Sequence, residues 1–275
     1  MKDEIIRKGM LTAGIIFLVF FCIGPFIWMI VVSLSDSPDF LVRGQYIFTL
    51  KNFIDILNIR NLHFLDYLRN SLFVAGLTSI FSATIGAFAA YAISRIDFRG
   101  KILILVSVLG LSMFPQISIV GYLYKIMSSI GWINTYNALV FPYIAWTLPL
   151  SLWLMLSYFS QIPSEIDRAA LVDGANRIQV FSKIIIPIGA PGFLSTVLLL
   201  FMASFNEFLF ALMLTTDFRA RTIPVGIALF EGLHGEIPWG YIMAASLISS
   251  IPVILLALFF QRYIIRGLTG GAVKQ

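Results

Sequence analysis

A chain of 275 residues that is 59% hydrophobic and only 12% charged, with a mean hydropathy of +0.92, has too little polar surface for a water-soluble domain. A net charge of +5 and a pI near 9.4 raise nucleic acid as a partner, but the basic residues are scattered between apolar runs, as membrane flanks are. The single cysteine, Cys22, sits in an apolar run, can close no internal disulfide and reads as a packing residue.

The chain begins with Lys2, Arg7 and Lys8, and an apolar run follows over about 10–34. That run contains Pro25 and Trp28 and, at about 24 residues, exceeds the ~7–15 of a signal-peptide core, so it is expected to remain as a transmembrane helix. Residues 35–65 mix Asp36, Asp39, Arg43, Lys51, Asp55 and Arg60 with apolar residues, which predicts an extramembrane loop with a short helix over about 50–57. A second span is expected over about 67–93, where Gly76, Ser79, Ser82, Ala83, Gly86 and Ala90 let helices approach closely. Arg95, Asp97, Arg99, Gly100 and Lys101 form a basic turn. The third span, about 102–124, is interrupted at Pro115-Gln116; with Ser118 these residues fit either a helix broken beside a transport pathway or a plain kink. A connector over 127–134 leads to the fourth span, about 136–159, with Pro142 and Pro149.

Residues 163–187, PSEIDRAALVDGANRIQVFSKIIIP, read as a helix–turn–helix. Pro163 and Ser164 start a helix, with Asp167 three residues on, where a capping-box acid would stand. Gly174 supplies the left-handed residue that ends it. A second helix carries Ile178, Phe181 and Ile184 along one face, and Pro187 marks where it must stop or turn. Two short helices at a sharp angle make a knob on the membrane surface.

The fifth span is expected over about 189–214 and the sixth over about 239–264, with a polar segment at 215–238 between them. Glu207 is the one acid well inside an apolar run. Counted from Pro191 it stands about 24 Å along a helix, in the outer half of the bilayer. With Asn206 it either lines a pathway or makes a buried hydrogen bond to another helix, since a lipid-facing carboxylate is costly there. With six spans both termini share one side, and that side holds twelve of the nineteen basic residues, which places the termini and the 163–187 knob in the cytoplasm. The sequence contains no G-x-x-x-x-G-K-[ST] phosphate loop, no Ser/His/Asp or Cys/His grouping, and only the isolated His63 and His234, so neither catalysis nor a metal site is expected. No internal repeat is evident.

Arg168-Ala169-Ala170, three residues, Gly174, nine residues, then Ile184-Ile185-Ile186-Pro187 resembles the "EAA" loop of permease subunits of ABC importers. That pattern is Glu-Ala-Ala, three residues, Gly, nine residues, Ile, any, Leu, Pro; the departures here are Arg168 for Glu and Ile186 for Leu. Asn206-Glu207-Phe208, Gln261-Arg262-Tyr263 and the glycine-rich run at 267–274 resemble the sugar-specific branch, and within it the second permease of maltose/trehalose-type importers.

The resemblance implies an all-α membrane protein of six transmembrane helices, with the type I importer fold and cytoplasmic coupling helices in a single domain. It implies a bacterial or archaeal cytoplasmic membrane. It implies a second permease, two copies of a cytoplasmic ATPase that hold ATP and magnesium, an extracytoplasmic sugar-binding protein, and surrounding lipid; this chain holds no cofactor. Glu165, Asp167, Arg168, Ala169, Ala170, Asp173, Gly174, Arg177 and Phe181 are placed at the ATPase contact. Arg168 leaves that contact without the family's acid: either Glu165 or Asp167 replaces it from a neighbouring turn, or the contact differs. Asn206, Glu207 and Gln116 are the candidates for the substrate pathway. The outer segment 217–239, with Arg221, Pro224, Glu231, His234, Glu236 and Trp239, is expected to meet the binding protein, against a plain interfacial loop. The tail over 267–275 is expected to leave the helix at its glycines and to thread between the ATPase subunits. The competing function is a self-sufficient secondary transporter or channel, which needs ion-coupling acids or an inverted repeat.

Overall fold

The structure is a computed structural model that describes residues 2–36, 46–230 and 237–269, with side chains described over 7–36, 46–230 and 237–261. It is built of helices: α1 (Lys2–Ser33), α2 (Lys51–Asn58), α3 (Phe64–Arg95), α4 (Lys101–Leu111), α5 (Gln116–Ser129), α6 (Tyr136–Phe159) and α7 (Ser164–Val172). These are followed by α8 (Arg177–Ile188), α9 (Ala190–Phe205), α10 (Leu209–Leu214), α11 (Ile223–Ala228) and α12 (Trp239–Thr269). Among the described residues the only extended pairing is one antiparallel bridge, Ser35 to Phe48. Among the described residues, four helices are long and apolar enough to cross a membrane, and up to six spans result if the bent pairs α4/α5 and α8/α9 each count as one. The all-helical class expected from the sequence is the observed one.

The chain divides into two compact units. The first contains residues 1–64 and 227–251. Its α1 has a mean hydropathy of 2.9 over 7–33, yet hardly any of it is buried, and Met10, Phe20 and Phe21 are all more than two-thirds exposed. Such a surface is stable against lipid or another apolar chain, not against water. The buried Asn52 of α2 donates through Nδ2 to the carbonyls of Ser33 and Ser35, 2.8 Å each. It fits there because Gly240 has no side chain; a Cβ on Gly240 would stand 2.8 Å from Asn52 Cγ. Tyr241 adds a hydrogen bond to Asp55 Oδ2 at 2.7 Å.

The second unit contains residues 65–226 and 252–275 and is organised around α6, against which α4, α9 and α10 pack. α3 approaches α6 through its small residues. Gly86 faces Ser151, whose Cβ would lie 2.8 Å from a Cβ at residue 86; Ser151 Oγ donates to the Ser82 carbonyl at 2.8 Å, and Thr147 Oγ1 to Ser82 Oγ at 3.0 Å. Ala83, Ala87 and Ala90 are fully buried on the same face. Two cores result. One gathers Val74, Leu139, Tyr143, Phe210 and Leu214; the other gathers Tyr91, Met155, Phe159, Phe181 and Ile185.

The fourth span has the expected bounds. The third is two helices bent by 92° around residues 112–115, and α5 runs on to Ser129 through the expected connector. Pro115 has an extended φ/ψ of −68°/131°, and as a proline it cannot donate the bond that would continue α4. The fifth span stops at Phe205, breaks at 206–208 and resumes as α10. α12 passes through Gly267 to Thr269, where the sequence had the helix ending. One interior glycine costs about 1 kcal/mol, too little to stop a long helix; residues 270–275 lie outside the described residues.

Candidate functional site

The knob forms as a helix pair. α7 closes with Gly174 at φ +90°, and the Ala175 and Gly174 N–H groups donate to the Ala170 and Leu171 carbonyls at 3.0 and 3.2 Å, a Schellman closure. Asn176 then caps α8 reciprocally with Gln179, at 2.9 and 2.8 Å. At Phe181–Ile185 the turn widens to a π-helix. The turn expected at Pro187 comes one residue later: α8 runs to Ile188, past the wider turn that accommodates the missing proline N–H, and bends 78° at Gly189 into α9. Gly189 itself lies under Phe159, whose Cε1 would be 2.9 Å from an added Cβ.

Asp167 does not cap α7. Its helix starts at Pro163 without a side-chain cap, and Asp167 turns inward with Ala170. There its Oδ2 lies 2.5 Å from Arg95 Nε at the end of α3, both side chains buried. Neither that Nε nor either Asp167 oxygen is in hydrogen-bond geometry, so the contact is Coulombic; Arg95 Nη2 separately donates to the Ile162 carbonyl at 2.6 Å. Burial raises the Asp167 carboxyl above its ordinary value, while the Arg95 and Arg177 guanidinium groups pull it back down. Phe181 is also inward, packed tilted against Phe88 and Tyr91 and edge-on to Phe159 at ring separations of 4.5, 5.2 and 6.4 Å. Asp167, Ala170 and Phe181 are thus the roots of the knob and offer no surface to a partner.

Glu165, Arg168, Ala169, Asp173, Gly174 and Arg177 are exposed. Ile178, expected beside Phe181, instead points outward and is 74% exposed, and Val172 is 87% exposed. The inner face of α8 is Val180, Phe181 and Ile185, with Ile184 half-buried. The sequence reading missed Arg95 as a partner and Val172 as outer surface. The available signal was the i, i+3 spacing of Asp167 with Ala170, which marks Asp167 as buried and in need of a cation.

Glu207 is buried and bonded within the fold. It accepts from Tyr143 Oη of α6 at 2.5 Å and from the Phe210 and Ala211 N–H groups at 2.8 and 3.2 Å, so its carboxylate caps α10 where the fifth span resumes. Of its two sequence readings, this is the interhelical hydrogen bond. Asn206 is exposed, its amide returned to the Met202 carbonyl at 2.8 Å. Gln116, the first residue of α5, lies elsewhere, on a cavity of about 480 Å³ among α5, α6 and α10.

The segment after α10 is pinned. Asn134, at φ +62°, accepts from the Thr216 and Asp217 N–H groups and donates to Asp217 Oδ1 at 2.8 Å. Asp217 grips Arg219 through both oxygens, and these bonds hold its carboxyl far below the usual range. Asn70 of α3 donates to the Phe218 and Arg221 carbonyls and accepts from Tyr136 Oη. Trp239 opens α12 and is half-exposed. Glu231, His234 and Glu236 lie outside the described residues.

Residues 82–270 match the model of the binding-protein-dependent transport system inner membrane component family. The chain is 56% identical, over all of its length and 99% of the relative's, to the trehalose/maltose transport system permease protein MalG of Thermococcus litoralis. It is 39% identical, over 91% of its own length and 92% of the relative's, to the trehalose transport system permease protein SugB of Mycobacterium tuberculosis. Its fold matches a chain of a bacterial ABC transporter that imports the acidic polysaccharide alginate, with a TM-score of 0.80 and 18% identity over 96% of this chain and 98% of that one. With that match spanning the core of the second unit and the knob, the chain belongs to the family of inner membrane components of binding-protein-dependent transport systems.

Proposed function

We propose that this chain is one of two permease subunits of an ATP-driven, binding-protein-dependent sugar importer, and that trehalose, maltose or a related α-glucoside is the cargo. The observation that carries this reading is the end-to-end similarity to a trehalose/maltose permease, which includes the knob. The knob's form supports the coupling role: its roots are fixed in the spans by Arg95–Asp167 and by the Phe181 ring packing, while its tip presents Val172, Ile178, Arg168 and Arg177 outward. In this reading two copies of a cytoplasmic ATPase hold ATP and magnesium, hydrolysis occurs there, and their closure pushes the knob and with it α3 and α9. Arg168, at the tip, meets an acidic group of the ATPase where other members use Glu. Both termini and the knob face the cytoplasm, and the 217–239 segment faces the sugar-binding protein.

The test is purification of the tagged chain from its own membranes, followed by reconstitution. The expected result is co-purification of a second permease and an ATPase, with ATP-dependent uptake of trehalose or maltose only when the binding protein is added. Sugar uptake by this chain alone, driven by an ion gradient, would instead establish a secondary transporter.

A further inference from the structure

The right-angle break between α4 and α5 falls at residues 112–115, where the helix gives way to a turn and Met113 is 85% and Phe114 65% exposed. The 112–114 N–H groups bond back to the 109–111 carbonyls, but no further helical turn follows in line to supply donors, and irregular backbone of that kind lies against protein or water rather than lipid. Beside it is the cavity of about 480 Å³, within the ~300–1,000 Å³ typical of small-ligand sites.

Its lining is mostly apolar, but two polar groups converge on it. Gln116 Nε2 is shielded from solvent and has no hydrogen-bond partner. On the opposite wall is Ala145, four residues before Pro149 in α6; Pro149 has no N–H, so the Ala145 carbonyl is denied its helical donor. Trp146 and Tyr122 add aromatic surface, 37% and 71% exposed. The buried Gln116 donor left unpaired carries a desolvation cost, which an acyl chain in the cavity would leave in place. A pyranose removes it. Its hydroxyls donate and accept, and its C–H faces lie well on aromatic rings.

We infer that this cavity is a sugar-contact site that the chain itself supplies to the translocation path, with the Gln116 amide donating to a hydroxyl, the Ala145 carbonyl accepting from one, and Trp146 and Tyr122 flanking the ring. The inference rests on the sugar-importer reading and gives that reading a location. The break at 112–115 is then the point where the span opens to admit cargo.

The test uses the whole complex in proteoliposomes with its binding protein and trehalose. Gln116→Leu and Trp146→Leu are expected to lower initial trehalose uptake about tenfold, the scale of one lost hydrogen bond to a buried donor. In a Cys22→Ser background, Gln116→Cys should react with a charged thiol reagent, and trehalose with the binding protein should slow that reaction where the binding protein alone does not. Wild-type uptake by both variants overturns the site, as does a Gln116→Cys chain that the charged reagent never reaches. Loss of the second permease from the purified Gln116→Leu complex overturns it too, by making the cavity a subunit interface. If the wild-type complex takes up no sugar at all, it is the importer reading that falls, and the variants play no part in that result.

Discussion

Asp167 shows how one residue type can serve two plans. By sequence it stood at a capping position or at the ATPase contact, yet the fold uses it as the anion that holds the knob to the end of α3. Removing one partner of a buried pair strands the other, at a cost of about 3–5 kcal/mol. Asp167→Asn is therefore expected to lower the thermal midpoint of the purified complex and to uncouple hydrolysis from uptake. The reversed pair, Arg95→Asp with Asp167→Arg, should recover part of both; a double variant no better than the single one would mean that the ion pair is not what joins the two elements. Glu207 carries a similar lesson. A lone acid in an apolar run was legible as important, but its partner Tyr143 lies 64 residues away in sequence and no local pattern announces it.

At the scale of elements, the spans were legible because apolar length is a local property, and the fourth was readable to the residue. The breaks were less so. Pro115 announced the bend at the third span, whereas the stop at Phe205 depends on the Glu207 cap, a tertiary arrangement. Likewise, Ile178 stands in the first turn of α8, ahead of the packed face that Val180, Phe181 and Ile185 form, and spacing alone does not tell which residue of an apolar stripe is covered. The knob's own turn was legible, since only glycine takes φ +90° at no cost. A Cβ at Gly174 meets nothing within 4 Å, so a substitution there acts through backbone conformation alone. Gly174→Val is expected to cost roughly 1–2 kcal/mol locally and to abolish uptake and stimulated ATP hydrolysis with the spans still inserted, while Gly174→Asn, which tolerates the left-handed region, should retain most of both. Normal coupling in the valine variant would reduce the knob to a connector.

For the molecule as a whole, the orientation proposed from the basic residues can be checked directly. In a Cys22→Ser background, Asn176→Cys should react with an impermeant thiol reagent only from the cytoplasmic side and Arg60→Cys only from the other; reversed labelling would overturn the orientation and the coupling role together. The break between α4 and α5 bears, finally, on how the chain is made. Its arms are 11 and 14 residues long, and neither reaches the ~20 apolar residues that an insertion channel accepts as one span. Counted as one span, the pair offers enough apolar length only once both arms have emerged from the ribosome. A charge placed in either arm, even where the finished fold would tolerate it against water, takes from the nascent chain the hydrophobicity that the pair must pool to be recognised. This stretch is thus constrained during synthesis as well as in the folded molecule.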